Sequence, residues 1–327
     1  MIYLEFLNGQ GLGNQLWCYA ALRSLSQTLG YKYKVINPEA FKGKNFLDIS
    51  YSNYEFMDPN INHYKEIKYN IFKEKLYYDV DLKMFACDFD KEILNIKKNT
   101  LIKGLFQSEK YLFNNDINNF IKLKEPYKSN LNVVENQCLL NIRGGEYKRF
   151  KNLILPKSYW INAIKNMNKI ANNLEFSIVT DDYEYASKLL PDLKIIKGDI
   201  SEDFYRLSKA KYLIVSNSSF TYFPITINNK PEKIIAPSNW SRFGNLQGRW
   251  ASPANYYKNW SYQNHNGEII SNDIVKKSIK KTKDFYSTFN ILTTKERVTR
   301  KNLWNYLPKN FKKAIKKILS KIIPFYF

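Results

Sequence analysis

Apolar and polar positions alternate in blocks along the first 120 residues, and the blocks predict regular elements. An apolar run at residues 2–7 predicts a buried strand, and a glycine-rich turn follows at residues 9–13. Apolar side chains near helical spacing predict a helix over Asn14–Leu29, which Gly30 ends as a C-cap. The same reasoning predicts further elements: strands at Tyr33–Ile36 and Thr100–Phe106, and a helix at Ser108–Phe120.

A second series of strands and helices begins near residue 135. It consists of strands at Gln137–Arg143, Leu174–Val179, Ile195–Ile196, Tyr212–Val215 and Lys233–Ala236, and of helices at Pro156–Ala171, Glu184–Leu190 and Ser201–Lys209. Strands that alternate with helices, twice over, predict an α/β chain with two doubly wound parallel sheets. Ligands of such sheets bind at the carboxyl ends of the strands, so the residues after each strand are the candidates for function.

The length of the chain and its two series of strands and helices together predict two domains. At 327 residues the chain is long enough for two domains of ordinary size. We expect a Rossmann-like domain at residues 1–134, a second one at 135–275, and a basic tail with an amphipathic helix at 276–327. A hydrophobic content of 44% excludes a disordered chain.

Cysteine and histidine content exclude two further classes of site. The three cysteines are far apart and odd in number, which fits a reducing compartment and argues against a disulfide framework. His63 and His265 are the only histidines, which argues against a His-rich metal site. The chain begins with a predicted strand instead of a signal peptide, and no apolar run approaches the ~20 residues of a transmembrane helix. We therefore expect a cytoplasmic protein.

The net charge of +21 is concentrated near the carboxyl terminus. Residues 276–327 hold fifteen lysines and arginines and two acidic residues, so the rest of the chain carries +8. An apolar stripe flanked by lysines over residues 302–327 predicts a basic amphipathic helix, typical of peripheral binding to an anionic membrane. The alternatives are a helix that docks on the protein's own core and one that binds a partner protein. No nucleic-acid-binding motif accompanies the charge, so we expect no nucleic-acid partner.

The glycine-rich turn after the first strand is the first candidate site. Gly9, Gly11 and Gly13 place backbone N–H groups at the start of a helix, where the helix dipole also favours an anion. A dinucleotide fingerprint requires the spacing G-x-G-x-x-G and an acidic residue at the end of the second strand. This chain has Asn14 and Asn37 at the corresponding positions, which argues against a nicotinamide cofactor. The alternative is a tight turn that only packs the helix on the strand.

Three strand ends in the second half supply complementary chemistry. Arg143 follows one strand, Asp181 and Asp182 follow the next, and the run 216–219 contains three serines. A guanidinium fork and hydroxyl donors suit a diphosphate, and a carboxylate suits a ribose or a base. Arginine is rare here, with only eight in the chain, so Arg143 is the more informative. The alternatives are a surface ion pair for Arg143 and helix caps for the aspartates and serines.

Four segments resemble glycosyltransferase family 11, the α-1,2-fucosyltransferases. Residues 9–20, Gly-Gln-Gly-Leu-Gly-Asn-Gln-Leu-Trp-Cys-Tyr-Ala, resemble the opening of that family, and residues 103–112 resemble its G-Y-F-Q-S-E-K-Y-F segment. Residues 141–147 resemble H-x-R-R-G-D-Y, and residues 218–220 fall where the family has S-S-F. The resemblance implies a GT-B-like fold of two Rossmann-like domains, GDP-fucose as donor, inversion at the anomeric carbon, and neither a metal nor a further cofactor.

The resemblance implies the role of Arg143, and residue type and position predict the roles of the other candidates. Arg143 would bind the donor pyrophosphate, and Asn14, Ser218 and Ser219 would assist it. The second domain would hold the nucleotide. Glu146 is the candidate general base, with an ion pair to Lys148 or Arg149 as the alternative. The predicted catalytic residues are therefore Arg143, Asn14 and Glu146. The residues predicted to bind the donor are Gly11, Gly13, Asn141, Asp181, Asp182, Ser218, Ser219 and Phe220.

Three positions depart from the family pattern and leave alternatives open. Asn141 stands where the family has His, Gly144 where it has the second Arg, and Glu146 where it has Asp. A transferase for another GDP-sugar and a non-catalytic sugar-nucleotide-binding protein therefore remain alternatives. For an active enzyme, the expected acceptor is a glycan of surface polysaccharide synthesis. A lipid-linked acceptor at the inner face of a membrane would suit the basic tail.

Overall fold

A computed structural model describes most of the chain before residue 289. The described residues are 1–52, 60–66, 78–79, 84–85, 87–125, 135–150, 153–227, 231–244 and 248–288. Only the backbone is described at 78–79, 84–85 and 286–288. The predicted amphipathic helix at 302–327 and the predicted domain boundary at 134 lie outside these ranges.

The described residues up to 125 include a four-stranded sheet and one long helix. The elements in chain order are β1 (Ile2–Glu5), α1 (Leu12–Leu29), β2 (Tyr33–Ile36), β3 (Leu47–Asp48), β4 (Asn62–Lys65), β5 (Tyr78–Asp79), β6 (Met84–Phe85), β7 (Thr100–Lys103) and β8 (Lys122–Leu123). The main sheet has the order β2-β1-β7-β4 and is parallel throughout. The short strands form two antiparallel pairs, β3 with β8 and β5 with β6.

The described residues from 135 to 288 form a seven-stranded sheet and five α-helices. The elements in chain order are β9 (Gln137–Ile142), α2 (Lys157–Asn168), β10 (Glu175–Thr180), α3 (Tyr183–Leu189), β11 (Lys194–Ile195), α4 (Ile200–Lys209), β12 (Tyr212–Val215), α5 (Tyr222–Thr226), β13 (Lys233–Pro237), β14 (Ser261–Gln263), β15 (Ile269–Ile270) and α6 (Asn272–Thr288). The sheet order is β11-β10-β9-β12-β13-β14-β15, and only β15 is antiparallel to its neighbour. Two parallel sheets with helices between the strands confirm the predicted α/β class.

One predicted helix is wrong. Residues 108–120 form two short 3₁₀ helices, Glu109–Leu112 and Ile117–Asn119, instead of one α-helix. Phe113 and Asn114 between them have φ angles of 48° and 64°. Two successive residues in the left-handed region cannot continue a right-handed helix. The hydrophobic spacing is therefore satisfied by two turns that pack separately.

A shared apolar core joins the two halves. Trp17 of α1 stacks on Tyr222 of α5, with ring centroids 4.3 Å apart, and lies 5.8 Å from Tyr257. One hydrophobic cluster includes buried side chains from both sheets, so the contact between the halves extends beyond these three rings. A second, smaller cluster covers the other face of the seven-stranded sheet. The core therefore holds the carboxyl edges of the two sheets close to each other.

The helix α6 returns from the second sheet toward the first half of the chain. Lys283 Nζ lies 2.8 Å from Asp88 Oδ2, and the Thr282 hydroxyl donates to the Trp250 carbonyl oxygen at 3.0 Å. None of the helices in the described ranges is both long and apolar enough to cross a membrane.

Candidate functional site

The topology of the second sheet points to one crevice. Numbered by appearance, its first six strands have the order 3-2-1-4-5-6, which is the order of a dinucleotide-binding doubly wound sheet. Successive strands are added on one side of β9 up to β11 and on its other side from β12 onward, so the strand order reverses between β9 and β12. Ligands bind outside the carboxyl ends of the strands at such a reversal. Arg143 directly follows β9, and Ser216 directly follows β12.

Asp181 contacts only one nitrogen of the Arg143 guanidinium, Nη1. This nitrogen lies 2.9 Å from Asp181 Oδ2, and Asp181 Oδ1 accepts from the Gly144 backbone N–H at 2.9 Å. The Tyr147 ring lies 5.3 Å from the guanidinium carbon. Among the described residues Arg143 Nε is buried without a hydrogen-bond partner. The Nε–Nη2 edge, the edge that forms bidentate pairs with carboxylates and phosphates, is thus not used by Asp181.

Asp182 has a structural contact on each side. Its Oδ1 accepts from the Tyr185 backbone N–H at 3.0 Å and so caps α3, and its Oδ2 lies 2.5 Å from Lys148 Nζ. The hydrogen bond from Lys148 lowers the pKa of Asp182 below its usual value. Asp182 is therefore ionised at neutral pH, and its charge is already partly compensated by Lys148.

The loop after β12 is tied to the end of β9. The Ser216 backbone N–H donates to the Asn141 carbonyl oxygen at 3.1 Å, and its hydroxyl donates to Asn141 Oδ1 at 3.4 Å. Ser218 Oγ accepts from the Phe220 backbone N–H at 3.3 Å. The Phe220 ring packs edge-on against Phe204 of α4, with centroids 6.0 Å apart. Asn141, Ser218 and Phe220 therefore shape the crevice between β9 and β12.

The glycine-rich turn of the first sheet meets this loop. β1 and β7 are neighbours at the point where the first sheet also reverses direction. Asn14, in the first turn of α1, accepts at Oδ1 from the Ser219 hydroxyl and from Gln107 Nε2, both at 2.7 Å. Gln107 follows β7, and its Oε1 accepts from Asn255 Nδ2 at 3.0 Å. A chain of four polar side chains thus connects the carboxyl edges of the two sheets.

The glycines of the turn have different surroundings. Gly9 has a φ of 80°, which favours glycine. Gly11 is exposed, and a Cβ added there would meet nothing within 4 Å. A Cβ on Gly13 would lie 2.5 Å from the Phe220 backbone nitrogen and 2.5 Å from the Ser219 carbonyl carbon. Gly13 therefore serves the contact between α1 and the loop after β12, whereas Gly11 is open to an approaching ligand.

Two carboxyl groups lie near the crevice besides the aspartates. Glu146 has a side chain that is 52% exposed, and its Oε1 lies 4.0 Å from Arg143 Nη2. Glu109, which follows β7, accepts from the Lys258 backbone N–H at 3.2 Å and from the Tyr222 hydroxyl at 3.3 Å, and burial raises its pKa. Glu109 thus ties loops together, while Glu146 is open to solvent. Within the described ranges no three His, Cys, Asp or Glu side chains are grouped to hold a metal ion.

Comparison with known proteins supports the resemblance seen in the sequence. No family model matches the chain. An α-1,2-colitosyltransferase from Escherichia coli is 30% identical over 162 residues, which are 42% of this chain and 54% of that protein. The O-antigen biosynthesis glycosyltransferase WbnK from Escherichia coli is 25% identical over 154 residues, 43% of this chain and 49% of that protein. Over somewhat less than half of its length the chain is thus similar to glycosyltransferases.

These matches are partial. The chain spans about half the length of the curated relatives it matches. Among solved structures, the fucosyltransferase NodZ from Bradyrhizobium matches with 13% identity and a TM-score of 0.40, over 69% of this chain and 93% of that one. At that identity and TM-score the superposition has no bearing on residue roles.

The structure explains one departure from the family 11 pattern. A Cβ on Gly144 would lie 2.6 Å from Asp182 Cβ and 2.8 Å from the Tyr185 ring. A Cβ on Gly145, which has a φ of 27°, would lie 2.5 Å from Asp181 Oδ2. The backbone of the turn after β9 therefore packs directly against Asp181 and Asp182 at Gly144 and Gly145. No side chain fits where the family pattern has its second arginine.

Three residues of the site are missing from the sequence-based set. Gln107 lies in the segment 103–112, and it is placed by Glu66, whose Oε2 accepts from the backbone N–H groups of Leu105 and Phe106 at 2.7 and 3.1 Å. Asn255 and Asn217 are the other two. The segment 103–112 was a signal for Gln107, and the polar run after β12 was one for Asn217. No local pattern marks Asn255, because its partner lies 148 residues away.

Proposed function

We propose that the chain is an inverting glycosyltransferase that moves L-fucose from GDP-fucose to a hydroxyl of a glycan in α-1,2 linkage. The reaction would serve synthesis of a surface polysaccharide. The resemblance to family 11 supports this proposal, and so do relatives named for colitosyl transfer and for O-antigen biosynthesis. The reversal points of the two sheets, which meet at the Asn14–Ser219 hydrogen bond, support a GT-B-like pair of Rossmann-like domains.

The observation that carries the proposal is the orientation of Arg143. Asp181 holds Nη1, so the guanidinium is already oriented before a ligand binds. In this proposal its Nε–Nη2 edge pairs with two oxygens of a diphosphate; Nε has no hydrogen-bond partner among the described residues, and Nη2 lies 4.0 Å from Glu146 Oε1. The two sheets also bring the start of α1 and the loop after β12 to the same place, where the Ser219 hydroxyl donates to Asn14 Oδ1. The backbone N–H groups at the start of α1 and the Ser218 hydroxyl can donate to an anion there. The described residues thus provide a cationic fork and neutral donors for the leaving GDP.

The mechanism follows from these positions. The bond between the anomeric carbon and the β-phosphate oxygen breaks while the acceptor oxygen approaches from the opposite face of the sugar. Arg143 stabilises the charge that develops on the departing diphosphate. Glu146 is the proposed base that takes the acceptor proton, because it is exposed and lies within 4.0 Å of Arg143. In the ligand-free arrangement Asp181 orients Arg143, and its proposed contact with ribose or guanine would use the oxygen lone pairs that remain.

A thermal-shift panel of nucleotide sugars tests the proposed function. We expect GDP and GDP-fucose to raise the melting temperature, since binding to the folded state alone stabilises it by about 2.7 kcal/mol at a hundred times Kd. UDP-, ADP- and CMP-sugars at the same concentration should have little effect. A preference for UDP-sugars would overturn the proposed donor.

A second donor has support from a named relative. The similarity to a protein named α-1,2-colitosyltransferase supports a GDP-sugar other than GDP-fucose as the alternative donor. Transfer or hydrolysis assays with several GDP-deoxysugars would rank them by kcat/KM. Tight GDP-sugar binding without transfer or hydrolysis of any donor would favour a non-catalytic binder instead.

Membrane attachment is a separate proposal that rests on the sequence of residues 276–327. Fifteen basic residues in that segment suit an anionic lipid surface, where each is worth about 1 kcal/mol at low salt. We expect the full chain to co-sediment with vesicles that contain anionic lipid and a chain cut after residue 300 to stay in the supernatant, with transfer to a soluble acceptor retained. Equal sedimentation of the two chains would contradict this.

A further inference from the structure

Asn217 has a buried side chain with unused hydrogen-bonding capacity. It is 2% exposed, and neither Nδ2 nor Oδ1 has a hydrogen-bond partner among the residues that the structure describes. Leaving a buried polar group unsatisfied costs about 1–3 kcal/mol. The unsatisfied amide of Asn217 is explained if a ligand that binds in the crevice forms the missing hydrogen bonds.

The strand register places Asn217 beside Arg143. Val215 of β12 pairs with Asn141 of β9, and the Ser216 N–H donates to the Asn141 carbonyl oxygen, so the register continues past the strand ends. Continuing this register by two residues, past the strand ends, predicts Asn217 opposite Arg143, at the spacing of about 4.8 Å between neighbouring strands. Thr180 pairs with Ile142 on the other side, which brings Asp181 next to Arg143 as well.

Side-chain alternation puts the three residues on one face. Leu139, Val179 and Val215 all belong to the larger hydrophobic cluster, and their strand neighbours belong to the smaller one. If this alternation continues past the strand ends at Ile142, Thr180 and Val215, it predicts Arg143, Asp181 and Asn217 on the same face. Tyr147 connects the ends of the row, because its ring lies 5.3 Å from the Arg143 guanidinium and its hydroxyl donates to the Asn217 carbonyl oxygen at 3.4 Å.

We propose that Asn217 hydrogen-bonds a hydroxyl of the sugar carried by the diphosphate and thereby selects the donor sugar. This inference rests on the proposed function. A hydroxyl both donates and accepts, so it can satisfy Oδ1 and Nδ2 of the amide together. A phosphate oxygen only accepts, so it would leave Oδ1 unsatisfied. In the row Asp181, Arg143, Asn217, the residue after Arg143 is Asn217. In the donor, the group after the diphosphate is the sugar, so Arg143 on the diphosphate leaves Asn217 for the sugar.

The Asn217→Leu variant tests this assignment. Leucine has a similar shape and no unsatisfied polar atoms, so the ligand-free melting temperature should stay the same or rise. The kcat/KM for GDP-fucose should fall about 10- to 100-fold, because the site loses its partner for a substrate hydroxyl. The Kd for GDP, which lacks the sugar, should stay within about twofold. Calorimetry with GDP and with GDP-fucose measures the two affinities separately.

Asn166→Leu is the matched control. Asn166 of α2 donates from Nδ2 to Gln263 Oε1 at 2.9 Å and to the Gly267 carbonyl oxygen at 2.8 Å. Because its amide is satisfied within the protein, this variant should lower the melting temperature. It should leave the ratio of GDP to GDP-fucose affinity unchanged.

Several results would overturn the assignment. Equal losses of affinity for GDP and GDP-fucose in Asn217→Leu would place the residue on the nucleotide, and an unchanged kcat/KM would remove it from the site. A drop in melting temperature as large as that of Asn166→Leu, with an unchanged affinity ratio, would make it structural. If Asn217→Leu does not fold, Asn217→Ala is judged by the same affinity ratio. If the wild type binds no GDP-sugar, the proposed function and this inference fall together, whereas wild-type binding with a silent variant overturns this inference alone.

Discussion

Arg143→Ala should abolish measurable glycosyl transfer while the protein stays folded. Removing one preorganised donor to a developing charge typically lowers kcat by about 10²–10³, and a charged fork in a crevice is at the strong end of that range. Arg143→Lys should fail as well, because a lysine cannot present the two parallel N–H groups of the Nε–Nη2 edge. The measurement is kcat with GDP-fucose together with the melting temperature of each variant.

Lys148→Ala is the control for loss of charge. Lys148 lies in the same turn, its side chain is 50% exposed, and its partner is Asp182. The variant loses one positive charge near the crevice but no part of the proposed diphosphate clamp, so its kcat should stay within about twofold of the wild type, as for an exposed ion pair. Near-normal turnover in Arg143→Ala would refute the assignment of Arg143.

Gly13→Ala should separate the start of α1 from the loop after β12. The new Cβ would lie 2.5 Å from two backbone atoms and 2.6 Å from a third, the Ser219 oxygen, and backbone cannot rotate aside as a flexible side chain can. Overpacking of this kind costs about 1–3 kcal/mol. The shift would also stretch the hydrogen bond between Asn14 and Ser219, now 2.7 Å long, and a displacement of about 1 Å near reacting groups can cost 10²-fold in rate.

Gly11→Ala separates this steric effect from a general loss of glycine. Gly11 has a φ of −66°, which alanine adopts freely, and open space around its Cβ position. Its stability to denaturant should stay within about 1 kcal/mol of the wild type, the cost of alanine at an N-cap. Equal destabilisation by the two substitutions in urea unfolding would show that the contact at Gly13 does not govern the junction.

Prediction from sequence succeeds where the deciding interaction is local. The helix Asn14–Leu29 and its end at Gly30 follow from apolar spacing and a residue that readily takes a φ of 64°, and the structure begins the helix only two residues earlier. Prediction fails at residues 108–120, where similar spacing is served by two 3₁₀ helices. The strand Asn62–Lys65 is not predicted either, because its side chains are mostly exposed and polar and its pairing with β7 is what makes it a strand.

In the candidate site, too, features set by local sequence can be predicted and features set by long-range contacts cannot. Arg143, Asp181 and the serines after β12 can be recognised in the amino-acid order, because strand ends and rare residue types are visible there. Their partners cannot, since the Arg143–Asp181 pair spans 38 residues of chain and the Ser219–Asn14 bond spans 205. A residue type shows what a side chain can bind, but the folded chain determines which of its atoms are already bound. Tertiary packing alone therefore reveals that Gly144 has no room for a second arginine and that the amide of Asn217 is buried without a hydrogen-bond partner among the described residues.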